Sequence, residues 1–142
     1  MSDPVARQST CVAIGERAVL IEGLPGAGKS TLALELIDRG AVLVGDDSVL
    51  LENVRGHLLA RPHPNTRALL EVRNLGILPF PCAQAVPVAL VLALDAQAPR
   101  YIEEPERIVI AGADLPLIRL WPGAGALALK AELALRHYGL SQ

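Results

Sequence analysis

The segment Gly23-Leu24-Pro25-Gly26-Ala27-Gly28-Lys29-Ser30 constrains this 142-residue chain more than any other, because it matches the phosphate-loop pattern G-x-x-x-x-G-K-[ST], with Thr31 following. Small residues let successive backbone N–H groups curl round a β-phosphate. A helix N-terminus adds partial positive charge, and Lys29 neutralises β and γ oxygens. Ser30 would place its hydroxyl on Mg2+, and Thr31 completes the cofactor-binding run. A glycine-rich turn that merely caps a helix does not ask for a lysine at that position, nor for an apolar strand before it and an amphipathic helix after it. Both flanks are present. Ala18 to Glu22 reads as a strand, and Leu32, Ala33, Leu36 and Ile37 repeat at helical spacing until Gly40 stops the helix. The segment predicts a nucleoside triphosphate site, with Mg2+ bridging the phosphates.

Composition sets the frame around that loop. Surface scaling leaves roughly 7,000 Å² exposed out of roughly 22,000 Å² for the unfolded chain, enough burial for one domain over 1–142, with residues 1–10 expected to be loose. The hydrophobic fraction is 51% and mean hydropathy is +0.37, so the chain is opposite to a disordered one. Aromatics make up only 3%, so the core must be aliphatic and a stacking platform for single-stranded nucleic acid has little to be built from. The same scarcity predicts a nucleotide held by its phosphates, with little specificity for adenine. Net charge is −2, which gives no footprint for a polyanion such as nucleic acid. Cys11 and Cys82 are too few for a disulfide framework and read as buried, reduced thiols of a cytoplasmic protein. The N-terminus has no signal-peptide pattern, and the most apolar stretch, Val86 to Leu94, is half of what a membrane span needs.

The order of elements predicts an α/β fold that is not doubly wound. Cys11 to Ile14 and Ala18 to Glu22 read as strands about a turn, and Ala41 to Val44 as an apolar strand running into Gly45-Asp46-Asp47. Ser48 to Glu52 and His57 to Arg61 read as a hairpin, Val86 to Leu94 and Pro116 to Leu120 as further strands, and Ala124 to Tyr138 as an amphipathic helix. Strands and helices do not alternate. A mixed β-sheet with antiparallel hairpins and few flanking helices is therefore expected around the phosphate loop.

Asp46 and Asp47 fall at the carboxyl end of a strand, the edge at which ligands bind in such sheets. An aspartate there can hold Mg2+ or accept a proton from an attacking hydroxyl, and two can share these tasks. Turn formation is the competing explanation, and the neighbouring phosphate loop favours the chemical one. Leu69-Leu70-Glu71-Val72-Arg73-Asn74-Leu75-Gly76-Ile77 sets an acid and a base two apart, on one face of a strand, which on its own reads as a solvated ion pair. Asp95, closing the Val86 to Leu94 strand, is a rival for the metal.

Taken together, the phosphate loop, the Leu43-Val44-Gly45-Asp46-Asp47 run, the Leu69 to Ile77 motif and Ile118-Arg119-Leu120-Trp121-Pro122-Gly123 before the last helix resemble the catalytic domain of HPr kinase/phosphorylase. The likeness runs from about Cys11 to Gly139 and is to the short, alphaproteobacterial-type form without an N-terminal domain. It implies a fold related to phosphoenolpyruvate carboxykinase and a homo-oligomer, commonly a hexamer. It also implies a serine kinase using ATP and Mg2+ on the HPr phosphocarrier of the sugar phosphotransferase system, with phosphorolytic removal of that phosphate, consuming phosphate and releasing pyrophosphate. By matched position, Lys29 binds phosphates, Ser30 and Glu71 bind Mg2+ with Asp47 beside them, and Asp46 accepts the serine proton. Arg100 aligns with the family's catalytic arginine, with Arg107 as the alternative. Departures fall at Gln8, where the family has a catalytic histidine, at Asn74, where it has glycine, and at Trp121 and Ala124, where it has basic residues.

Two other functions compete. The loop is also similar to those of small-molecule kinases acting on adenylylsulfate or gluconate, which need a helical lid carrying arginines; Arg55 to Pro81 is too proline-rich and strand-like to supply one. A nucleotide-binding regulatory module without catalysis is the third reading, motivated by Gln8, which cannot titrate.

Overall fold

The computed structural model describes residues 3–141. Its centre is β9 (Val86–Leu94), whose unbroken apolar run is explained by burial on both faces. Parallel to it on one side lies β3 (Arg17–Gly23), followed outward by β2 (Thr10–Ile14) and β4 (Val42–Gly45), both antiparallel to their inner neighbours. Parallel on the other side lies β11 (Ala113–Leu120), which forms a hairpin with β10 (Glu106–Ile110). The amino end of β9 pairs instead with β6 (His57–Pro62), whose hairpin partner β5 (Val49–Val54) pairs in turn with β1 (Val5–Arg7). A separate hairpin, β7 (Leu69–Val72) with β8 (Gly76–Pro79), stands off this sheet. Among the described residues two helices, α1 (Lys29–Asp38) and α2 (Leu127–Tyr138), and a 3-10 turn at Pro64–Thr66 complete the regular structure.

Period-two alternation divides the interior into two cores. Val12, Val19, Ile21, Leu90 and Leu92 face α1 and α2, packing on Leu32, Leu36, Ala131 and Leu135. Cys11, Ala13, Leu20 and Val91 face the other way, onto Leu51, Leu58 and Ala60 of the β5–β6 hairpin and Leu115 of β11. Burial pushes the Cys11 thiol far above its ordinary pKa, and Cys82 nearby adds to the shift. Cys82 is only half-buried, its thiol donating to the Val44 carbonyl at 3.5 Å.

The mixed sheet with hairpins and few helices is thus as expected, with four differences. Residues 1–10 are not all loose: Val5–Arg7 pairs with Val49–Leu51, and Arg7 clamps Glu22 through two side-chain bonds, while Met1 and Ser2 lie outside the described residues. Leu69 to Leu78 is a hairpin, and Arg73 sits in its turn, beside Asn74 at φ +73, not on a strand with Glu71. The Pro116 to Leu120 strand begins earlier and gains β10 across a turn at Ala111-Gly112, both at positive φ. The last helix starts at Leu127, because Ala126 is left-handed at φ +59. No helix of the described residues is long and apolar enough to cross a membrane.

Candidate active site

The phosphate loop leaves β3 at Gly23 and enters α1 at Lys29. Gly28, at the N-cap, sits at φ +103, a conformation that a side chain would strain, and it leaves the first N–H groups of α1 without a side-chain cap. The Lys29 ammonium folds into the mouth of the loop and donates to the Gly23 carbonyl at 2.7 Å. On the other flank, Gly45 is required by contact: a Cβ there would lie 2.5 Å from the Ser48 carbonyl oxygen. That tight bend turns Asp46 and Asp47 back toward the loop.

Asp46 is the hub. Its Oδ1 accepts from Ser30 Oγ at 2.7 Å and from Thr10 Oγ1 at 3.0 Å, and its Oδ2 accepts from the Glu71 backbone N–H at 3.0 Å. One carboxylate therefore ties the start of α1, the edge of β2 and the β7–β8 hairpin together. Leu70, fully buried against the α1 side of the sheet, anchors that hairpin, and alternation along β7 turns Glu71 the opposite way. Asp47 is held at φ +65 and receives one long contact, from Gln8 Nε2 at 3.4 Å.

Around these groups opens a cavity of about 350 Å³. Of the residues singled out in the sequence, Gly23, Pro25, Gly26, Gly28, Lys29, Ser30, Thr31, Asp46, Asp47 and Glu71 line it. Leu24 points to solvent, 79% exposed, and Ala27 packs against the core. Gln8 reaches the cavity too, and so do Thr10 and Arg73, which sequence reasoning did not assign to the site. Arg73 hangs over the loop, with a guanidinium nitrogen 3.8 Å from where a Cβ on Gly26 would be. Its spacing from Glu71 was the available signal, read as a surface ion pair. Thr10 carried none.

Arg100 is not brought to this cavity. The β9–β10 connection is tied down by the Trp121 indole N–H, which donates to the Ala98 carbonyl at 2.6 Å, and Arg100 lines a different cavity beside α2. Arg107, the alternative, pairs with Asp114 on the β10–β11 hairpin at 3.2 Å. Asp95 is likewise spoken for: Arg119 holds it at 3.1 Å and clamps Glu106 from the other side at 2.7 Å, lowering the Glu106 pKa.

The donor set fits a phosphate-bound Mg2+. Among the described residues no three His, Cys, Asp or Glu side chains form a group that could hold a metal ion, and a Mg2+ at this site would be held by few protein groups together with substrate phosphates and water. Ser30 donates its proton to Asp46, which leaves its oxygen lone pairs free for a cation.

The HPr serine kinase C-terminal domain model matches residues 1–83, more than half of the chain. HPr kinase/phosphorylase of Clostridium beijerinckii is 50% identical over 60 residues, which is 42% of this chain and 20% of that protein. The Neisseria meningitidis protein of the same name is 53% identical over 64 residues, 44% of this chain and 20% of its own length. The chain thus spans about a fifth of the length of these curated relatives. The solved HPr(Ser) kinase/phosphatase of Coxiella burnetii superposes with a TM-score of 0.82 at 26% identity, covering 93% of this chain and 94% of that one.

Proposed function

The chain belongs to the HPr serine kinase C-terminal domain family, and from that premise we propose that it transfers the γ-phosphoryl group of ATP to a serine of an HPr-type phosphocarrier protein. The observation that carries this reading is the Ser30–Asp46–Glu71 constellation closing over a phosphate loop. Loop N–H groups and Lys29 bind the phosphates, and α1 lends its positive end. Ser30, Asp47 and Glu71 are the groups that would hold Mg2+, which neutralises developing charge between β and γ oxygens when bound. Arg73 takes the role that the resemblance gave to Arg100: a cation over the loop, able to steady negative charge on the transferred group.

Asp46 is the proposed acceptor of the serine proton, and it returns that proton if the reaction runs backward from phosphate. It already accepts three hydrogen bonds, from Ser30, Thr10 and the Glu71 N–H, so one of the hydroxyl bonds gives way as the serine proton arrives. Asp47, whose carboxylate has a single 3.4 Å contact while its backbone N–H donates to Thr10 Oγ1, is the less committed acid and supports a second assignment in which it takes the proton while Asp46 orients Ser30. The rate against pH of D46N and D47N separates them: the acceptor's variant loses the acid limb of the profile.

No helical lid occurs among the described residues between Arg55 and Pro81, where β6, a 3-10 turn and the β7–β8 hairpin stand instead, so the small-molecule kinase reading has no support. Incubation with Mg2+-ATP and an HPr-type carrier, with gluconate and adenylylsulfate as comparisons, tests the proposal. Carrier phosphoserine that disappears in K29A is expected. ATP binding without transfer to any acceptor would instead favour a regulatory nucleotide-binding module.

A further inference from the structure

Three of the chain's four Phe, Trp and Tyr side chains border one cavity. Tyr101, Trp121 and Tyr138 line a cavity of about 280 Å³ between α2 and the β9–β10 connection. Arg100, Arg119, Lys130 and His137 border it, Arg119 already paired with Asp95 and Glu106, and no carboxylate lines it. Among the described residues the Arg100 and Lys130 side chains make no hydrogen bond or ion pair. The Trp121 indole is held by its N–H on Ala98, yet the residue stays 45% exposed, and Tyr101 is 82% exposed. Exposed rings beside unpaired cations, free of acids, suit an electron-rich planar ring system.

Strand register places this cavity relative to the phosphate loop. Gly23 stands opposite Leu94, and Leu94 opposite Leu120, across three parallel strands. Trp121 therefore follows two strand spacings, about 9–10 Å, from the first glycine of the loop, along the same carboxyl edge of the sheet. A bound triphosphate has a direction along that edge. Its transferable end must face Ser30, Asp46 and Asp47, which gather on the β2–β4 side of β3. The nucleoside then leaves on the opposite side, over β9 and β11, where the rings are. At about 280 Å³ the aromatic cavity has room for a planar ring system.

We propose that the cavity at Trp121 and Tyr101 is the subsite for the nucleobase of ATP, with the indole as stacking surface and Arg100 as a flanking cation. The assignment rests on the reading that the phosphate loop holds ATP, and it reverses the expectation that so few aromatics leave the base unrecognised. Four rings suffice when three are placed together.

Titration calorimetry of the full chain in Mg2+ with ATP and, separately, with inorganic tripolyphosphate tests it, since the second ligand keeps the phosphates and lacks the base. Wild-type protein should bind ATP the more tightly. W121L should weaken ATP about tenfold and leave tripolyphosphate unchanged, with W121F, which keeps a ring but not the N–H on Ala98, restoring part of the loss. Y101A, at a more exposed position, should lose less in the same direction. If W121L leaves ATP affinity intact, or weakens both ligands alike, the subsite is overturned while the phosphate-loop reading stands. If neither ligand binds the wild-type chain, both are overturned together.

Discussion

Replacing Asp46 with asparagine probes the point on which the whole site hangs. The carboxylate accepts from Ser30, Thr10 and the Glu71 N–H, at 2.7, 3.0 and 3.0 Å. An amide has one oxygen and one NH2, so whichever way it lies, one side sets donor against donor unless the hydroxyls turn round to accept. The Glu71 N–H cannot turn, so the amide oxygen goes there and the NH2 faces Ser30 and Thr10. Bonds to a charged acceptor contribute roughly 1.5–3 kcal/mol against about 1 for neutral pairs. These are only partly buried, so the summed loss is about 1–2 kcal/mol, and at this chain length the melting temperature falls by roughly 3–8 °C. The larger effect is on the cation. A Ser30 oxygen that accepts from the amide has given up a lone pair, and disturbing such a supporting bond typically costs about 10–100-fold in metal affinity. Calorimetry of ATP binding across a Mg2+ series, beside thermal melts and carrier phosphorylation, reads all three quantities. D46N protein with wild-type Mg2+ dependence would refute the argument that the Ser30–Asp46 bond prepares the cation site. An unchanged transfer rate would remove Asp46 as proton acceptor, because losing a general base costs about 10²–10⁴-fold.

Other substitutions separate roles that the sequence had merged. R73Q should lower kcat by about 10²–10³-fold, in line with the loss of one charge-stabilising donor, while R100Q should act on KM for ATP with kcat nearly intact; steady-state kinetics on both decides, and a collapse of kcat in R100Q would return that arginine to the reacting phosphates. Q8H places a titrating group against Asp47 Oδ1, whose charge favours the imidazolium, so its transfer rate should differ from wild type in its dependence on pH somewhat above 6.5. R119M removes the clamp between Asp95 and Glu106. Because Arg119 lowers the Glu106 pKa, the clamp contributes stability above the ordinary Glu range and loses it as pH falls through the lower folded value. Wild-type and R119M melting temperatures should therefore converge in acid, and also at about 1 M salt, where these exposed charges are screened.

What the sequence made legible follows the strength of local signals. Val86–Leu94 was readable to the residue, because a strand buried on both faces shows as one apolar run between turn residues. The phosphate loop and α1 were readable because glycine, lysine and a helical repeat leave little choice of geometry. β10 was not, since Glu106, Arg107 and Val109 are exposed on a strand paired on one side only, so no alternation marks it. Nor was β1, which is held by pairing with Val49–Leu51, more than forty residues away, and by the Arg7–Glu22 clamp. Both strands depend on partners distant in sequence, and local propensity is silent about those.

The site divides along the same line. Lys29, Ser30 and Asp46 belong to local motifs, and the chain brings them together as their spacing implies. Arg73 and Arg100 could not be told apart by motif, because what distinguishes them is where a loop is tied. Asn74 at positive φ folds the Leu69–Pro79 segment into a hairpin and takes Arg73 off the strand, over Gly26. The Trp121–Ala98 bond draws the segment carrying Arg100 toward α2. A basic residue's role in this fold is set by the turn that carries it, and each of these turns is closed by a group outside any phosphate-binding motif. The same bond that removes Arg100 from the phosphates sets it beside Tyr101 and Trp121, so one tether accounts for both the cation missing from one cavity and the rings gathered in the other.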